Sequence, residues 1–144
     1  MQQRSAVTIG LDVGDKHAQV CVLDGVTGEV LEESRIRTTP AGVRNYFANK
    51  PAALVSLETG THSPWISREL SGAGHEVIVA NARKVRLIRG DSRKSDRLDA
   101  EKLARLTRVD ARLLSPIQHR STRAQADLAR IRSRDALVSA RTAM

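Results

Sequence analysis

Residues 6–23 read AVTIGLDVGDKHAQVCVL. Two apolar runs lie in this stretch, Val7 to Val13 and Ala18 to Leu23, separated by Gly14-Asp15. Gly-Asp between apolar runs is a strong turn signal, so the stretch predicts a two-stranded hairpin. One residue is out of character. Asp12 stands within Ile9-Gly10-Leu11-Asp12-Val13-Gly14, where a carboxylate is costly to desolvate unless a cation or hydrogen bonds compensate it. Gly14, just beyond it, allows close approach of a backbone or a phosphate.

Working outward, the second run ends at Asp24-Gly25, and Val26-Thr27-Gly28-Glu29 gives another tight turn. Val30 to Thr39 then predicts a third strand, with Glu32 on it read as an ordinary surface carboxylate. Thr39 and Pro40 suit the cap and first turn of a helix that places Val43, Tyr46 and Phe47 on one face. Ala52 to Leu57 is a short apolar run of the buried parallel-strand kind, and it stops at Glu58. After the loop Thr59-Gly60-Thr61, a helix is expected from about Ser63, with Pro64 in its first turn and Trp65, Ile66 and Leu70 as apolar residues. Trp65 reads as a core anchor. The helix stops at Gly72-Ala73-Gly74, and Glu76 to Ala80 (EVIVA) is a further buried strand. A basic connector, Arg83 to Asp91, leads to a helix expected over about Ser95 to Thr107, and Ser115-Pro116 breaks it off from the remainder of the chain. Residues 121–144 predict one more helix with a thin apolar stripe of Leu128, Ile131, Leu137 and Val138, which suits a seam with another copy. The order βββαβαβα predicts an α/β fold with a mixed sheet covered by helices, and it matches the ribonuclease H-like fold. Residues 1–118 are expected to form this domain, and 119–144 the start of a helical, coiled-coil segment.

Composition limits the function classes. No apolar run is long enough to span a membrane, and no signal peptide is visible. A single cysteine, Cys21, rules out an internal disulfide framework or a cysteine-cluster metal site. A cytoplasmic location is the resulting expectation. Charge is unevenly placed: residues 1–80 carry 7 Lys/Arg against 9 Asp/Glu, and residues 81–144 carry 17 against 7. The resulting −2 and +10 sum to the net +8. A basic half suits a polyanion partner, though an Arg-rich solvated helical surface would give the same count.

Four carboxylates fall where the fold could use them: Asp12 and Glu58 at strand positions, Asp96 and Asp99 three residues apart on an expected helix, hence on one face. Singly, each has a plain structural role available as a turn or helix cap. Together they make an oxygen-rich cluster of the kind that clamps two magnesium ions about 3.5–4 Å apart on a phosphodiester. Hard oxygen donors favour magnesium or manganese over zinc. His17 and His62 lie near these loops, but the carboxylates suffice as ligands.

At these residues the chain resembles a known family. The runs TIGLDVGDKHAQVCVLD, SLETGTHSPW and KSDRLDAEKLARL are similar to the signature blocks of the DEDD transposases of insertion sequences. Their relatives include Piv-type DNA invertases and bridge-RNA-guided recombinases. The resemblance covers about residues 6–118 and the last helix more loosely. It implies a RuvC-like domain binding Mg2+ or Mn2+ at Asp12, Glu58, Asp96 and Asp99. It also implies cutting and rejoining of DNA, and in part of the family a guide RNA. Lys16, Arg83, Lys84, Arg86, Arg89, Arg93, Lys94 and Arg97 are the expected nucleic-acid contacts. A second, C-terminal domain carrying a serine nucleophile is implied as well, reached through a coiled coil that also supports a homo-oligomer. It is not within these 144 residues, so the chain is expected to be shortened and without full activity alone. The first block by itself leaves open a small junction resolvase or a sugar-kinase-like ATPase. The basic half leaves open a non-catalytic nucleic-acid-binding remnant.

Overall fold

Why the hairpin forms where it does is visible in its side chains. The computed structural model describes residues 6–81, 83–84 and 99–119. Strands β1 (Val7–Val13) and β2 (His17–Asp24) pair antiparallel, Gly10 opposite Cys21 and Asp12 opposite Gln19. The Asp24 carboxylate accepts from the Val26 and Thr27 amides, 2.8 Å each, closing the turn into β3 (Val30–Arg37). Those two amides hold the Asp24 carboxyl below its ordinary range. Helix α1 (Pro40–Ala48) begins as expected, with the Thr39 hydroxyl accepting from the Gly42 amide at 3.0 Å. Strand β4 (Leu54–Glu58), helix α2 (Ser63–Gly72) and strand β5 (Glu76–Ala80) come next. β4 lies parallel to both β1 and β5.

The alternation of β1, β2, β4 and β5 sorts the sheet into two faces. Ile9, Leu11, Val20, Val22, Val55, Leu57 and Val79 face one way and pack with Val43 and Phe47 of α1 and Ile66 and Leu70 of α2. Cys21 and Leu23 face the other way, against Ala100 and Ala104 of helix α3 (Ala100–Val109). Ala80 packs there too, with Leu103 of α3 and Leu114 of a 3-10 turn, Ala111–Leu114. The mixed α/β sheet and its βββαβαβα order are as expected, and the central strand order β3-β2-β1-β4-β5 is the ribonuclease H-like arrangement.

The expectations need correction in three places. The helix expected from Ser95 through Thr107 does not run through Asp99. That residue has an extended backbone (φ −74°, ψ 171°) and is the N-cap of α3, accepting from the Lys102 amide at 2.7 Å. Asp99 therefore precedes the helix instead of lying on a face of it. The sheet also has a sixth strand, β6 (Pro116–Ile117), antiparallel to β5. Proline is tolerated on such an edge, which is why the expected break at Ser115-Pro116 is a left-handed turn (Ser115 φ 47°) into a strand. Glu32 is the third. It is no bare surface group, because it accepts from Tyr46 Oη at 2.9 Å and pairs with Lys50 Nζ, tying β3 to α1. The basic connector beyond Lys84 and the expected pairing helix with Leu128, Ile131, Leu137 and Val138 lie outside the described residues. None of the described helices is long and apolar enough to cross a membrane.

This packing can be tested at two points. A Cβ on Gly10 would lie 2.0 Å from the Ala100 carbonyl oxygen, a backbone atom that cannot swing aside. Gly10→Ala should cost about 3 kcal/mol, the upper part of the overpacking range, read as a lowered urea midpoint. Lys50, followed by Tyr46, holds the Glu32 carboxyl below its ordinary value of 4.5. A depressed folded value means the stabilisation is present above 4.5 and is lost as pH falls through the folded value. The melting temperatures of wild type and Glu32→Gln should therefore differ at neutral pH and converge under acid. A constant gap down to strong acid would contradict this.

Candidate functional site

Asp12 and Glu58 reach the same end of the sheet for a simple reason. Leu11 pairs with Leu57 across the parallel β1–β4 ladder, so the residue after each, Asp12 and Glu58, stands beside the other where both strands run out. Both sit on the Gly10 and Ser56 face, the one covered by α3. Both are half-buried. A cleft of about 180 Å³ opens there, lined by Asp12 and Glu58 together with Asp15, Thr59, Thr61, His62 and Ser63, among others.

The direction of α3 brings its N-terminus to this end. Ala100 and Ala104 lie on Gly10 of β1. One and two turns on, the Arg105 and Arg108 guanidiniums donate to the Gly28 carbonyl (3.4 Å) and the Val26 carbonyl (2.6 Å), in the turn at the far end of β1. The helix thus runs antiparallel to β1, and Asp99 caps it on the Asp12 side. Asp99 is nevertheless not in the lining of the cleft. Asp96 lies outside the described residues. Among the described residues, no three His, Cys, Asp or Glu side chains stand close enough together to hold a metal ion. Two of the four expected carboxylates are therefore together in one cleft. The donors lining it are oxygens apart from one imidazole, a set that fits a hard divalent cation.

Of the expected nucleic-acid contacts, Lys16 is exposed in the β1–β2 turn beside Asp15, and Arg83 and Lys84 are exposed just past β5. Arg86, Arg89, Arg93, Lys94 and Arg97 fall outside the described residues. His17 is turned toward β3, its Nδ1 accepting from Arg35 Nη2 at 3.1 Å. Two cleft residues, Asp15 and Ser63, carry no signal in the carboxylate pattern, while His62, which the sequence places near these loops, lines the cleft as well. The Gly14-Asp15 turn and the loop directly after Glu58 are the sequence features that could have pointed to them. Ser63 shapes that loop, its hydroxyl donating to the Gly60 carbonyl (2.9 Å) while accepting from the Gly60 amide (3.1 Å).

The IS110-type DEDD transposase model, described as a transposase, matches residues 9–144. The chain belongs to that family. A "probable family 20 transposase" of Pseudomonas aeruginosa is 31% identical over 137 residues, 94% of this chain. The chain spans 38% of that relative's length. Among solved structures, RuvC of Thermus thermophilus in complex with a Holliday junction substrate matches at a TM-score of 0.45 and 16% identity, over 68% of this chain and 89% of that one. A second Thermus thermophilus RuvC structure gives 0.45 and 17%, over 72% and 96%. Neither likeness is near enough to bear on function. Family membership selects the transposase reading over the small-resolvase and sugar-kinase readings that the first block leaves open.

Proposed function

We propose that this chain is the nuclease-type domain of an IS110-type transposase, which cuts and rejoins DNA strands during transposition. The observation that carries this is the placement of Asp12 and Glu58 side by side at the ends of parallel strands β1 and β4, lining one cleft. Asp12, Glu58, Asp96 and Asp99 are the proposed ligands of Mg2+ or Mn2+. A divalent ion held there would neutralise charge on a phosphodiester's attacking and leaving oxygens. The chain's own part is to hold two carboxylates rigidly on strand ends. A site on strands is more precisely held than one on loops.

The partner in this reading is DNA. Lys16, Arg83, Lys84 and the basic residues up to Arg97 would track its phosphates. A structured guide RNA choosing donor and target is the finer part of the proposal, as is assembly with another copy through residues 119–144. Family membership supports both. A serine nucleophile supplied from outside these 144 residues is a further part of the proposal.

Calorimetric titration of residues 1–144 with manganese tests the site. Asp12→Asn should weaken binding at least tenfold. Glu76→Gln, an exposed change at the opposite end of β5, should leave it unchanged. Equal binding by both would reject the site. Duplex binding should also fall with salt, by a log–log slope of about −0.9 per phosphate neutralised. A flat salt response would remove the basic half from the reading.

A further inference from the structure

Asp15, His62 and Trp65 form a hydrogen-bonded row beside the carboxylate pair. Trp65 Nε1–H donates to His62 Nδ1 at 3.0 Å. An indole nitrogen can only donate, so Nδ1 is the nitrogen without a proton. The proton of the neutral ring therefore sits on Nε2, which donates to Asp15 Oδ1 at 3.3 Å. Trp65 packs against the main core, and its ring meets the imidazole edge-on at 5.9 Å and 88°. His62 is thus fixed from behind. In front, its partner is barely held: the Asp15 side chain is 95% exposed, against 27% for His62. An interaction with so exposed a carboxylate is worth little. The result is an oriented donor with a weak, replaceable acceptor.

The surroundings say what would replace it. Asp15 and His62 line the same cleft as Asp12 and Glu58. Among the described residues lining it, every other polar side chain is a carboxylate or a hydroxyl. His62 is the sole side-chain nitrogen donor there. We propose that His62 Nε2–H binds a non-bridging oxygen of a nucleic-acid phosphodiester entering the cleft, releasing Asp15. Asp15 is then a competitor for the donor, and Trp65 a positioning residue that fixes the tautomer. The proposal rests on the transposase reading only in taking a nucleic-acid strand as the occupant.

The test is the affinity of residues 1–144 for a short labelled DNA duplex, measured by fluorescence anisotropy at low salt in calcium. Loss of a hydrogen bond to a charged oxygen corresponds to about tenfold or more, so His62→Ala should weaken binding by that factor. Asp15→Ala, which frees the donor and removes a repelling charge, should tighten it severalfold. His62→Gln, which keeps an N–H, should recover part of the loss. If the pair were only a clamp between the β1–β2 turn and α2, both alanine variants would shift affinity the same way. That outcome, no shift in either, or no binding by the unmodified chain would overturn the proposal. Should His62→Ala not fold, ring-nitrogen NMR of the unmodified chain decides. DNA should move the His62 Nε2 resonance, and an unmoved resonance overturns the proposal. Calcium titration of Asp12→Asn reports the carboxylate site separately, so failure of that site and failure of His62 are distinguishable.

Discussion

The contact on which the rest depends is that of one backbone against another: α3 lying directly on β1 at Gly10. Only a residue without a Cβ lets the Ala100 carbonyl come this near, and Ala100 and Ala104 keep the helix side of the contact equally small. Close approach fixes the helix in height, and two arginines fix it in direction. Arg105 and Arg108 reach the turn between β2 and β3, holding the C-terminal half of α3 at the end of the sheet away from Asp12. Its N-terminus is thereby held at the Asp12 end. A one-residue slip of β1 would turn Gly10 away and put a leucine or isoleucine beneath the helix, so hairpin register and helix placement enforce one another.

The sheet divides its labour by face. The side under α1 and α2 is aliphatic, closed and anchored by Phe47, and it carries most of the apolar burial. The side under α3 carries small or polar residues at Gly10, Ser56 and Cys21, with Leu23 and Ala80 as its apolar part, and it is open at the strand ends. A carboxylate can be tolerated on that second face because it emerges beside a cleft instead of under a helix. Cys21, deeper on the same face, shows the difference. Burial, then Glu101, pushes its thiol above the ordinary range. The Asp12 and Glu58 carboxylates therefore stand at the margin of the sheet, where charge is still partly solvated.

Much of this was legible in the sequence. Short apolar runs and the Gly-Asp, Asp-Gly and Thr-Pro signals located β1 to β5, α1 and α2 to within a few residues, because each element there matches its own local preference. Asp12 and Glu58 were legible because a carboxylate at an apolar strand position is anomalous by itself. The start of α3 was not, since Asp99 serves equally well as the second member of a helical pair or as the cap before it. Only the backbone decides between them. β6 was invisible because its two residues have no period and one is proline. Glu32 looked like any strand carboxylate; its partners Tyr46 and Lys50 come from further along the chain, and no spacing rule links them.

The wall of the cleft opposite β1 has a connection of its own. The Thr59–Ser63 loop is braced by Ser63, and Ser63 is bonded in turn by His119, whose Nε2 lies 2.9 Å from the Ser63 hydroxyl oxygen. The hydroxyl proton is already committed to the Gly60 carbonyl, so the imidazole is the donor. Burial, and after it the Arg68 guanidinium, hold the His119 imidazole below its ordinary value. It is then neutral at neutral pH, and the bond brings no positive charge to a loop whose neighbours are carboxylates. His119 lies just past β6.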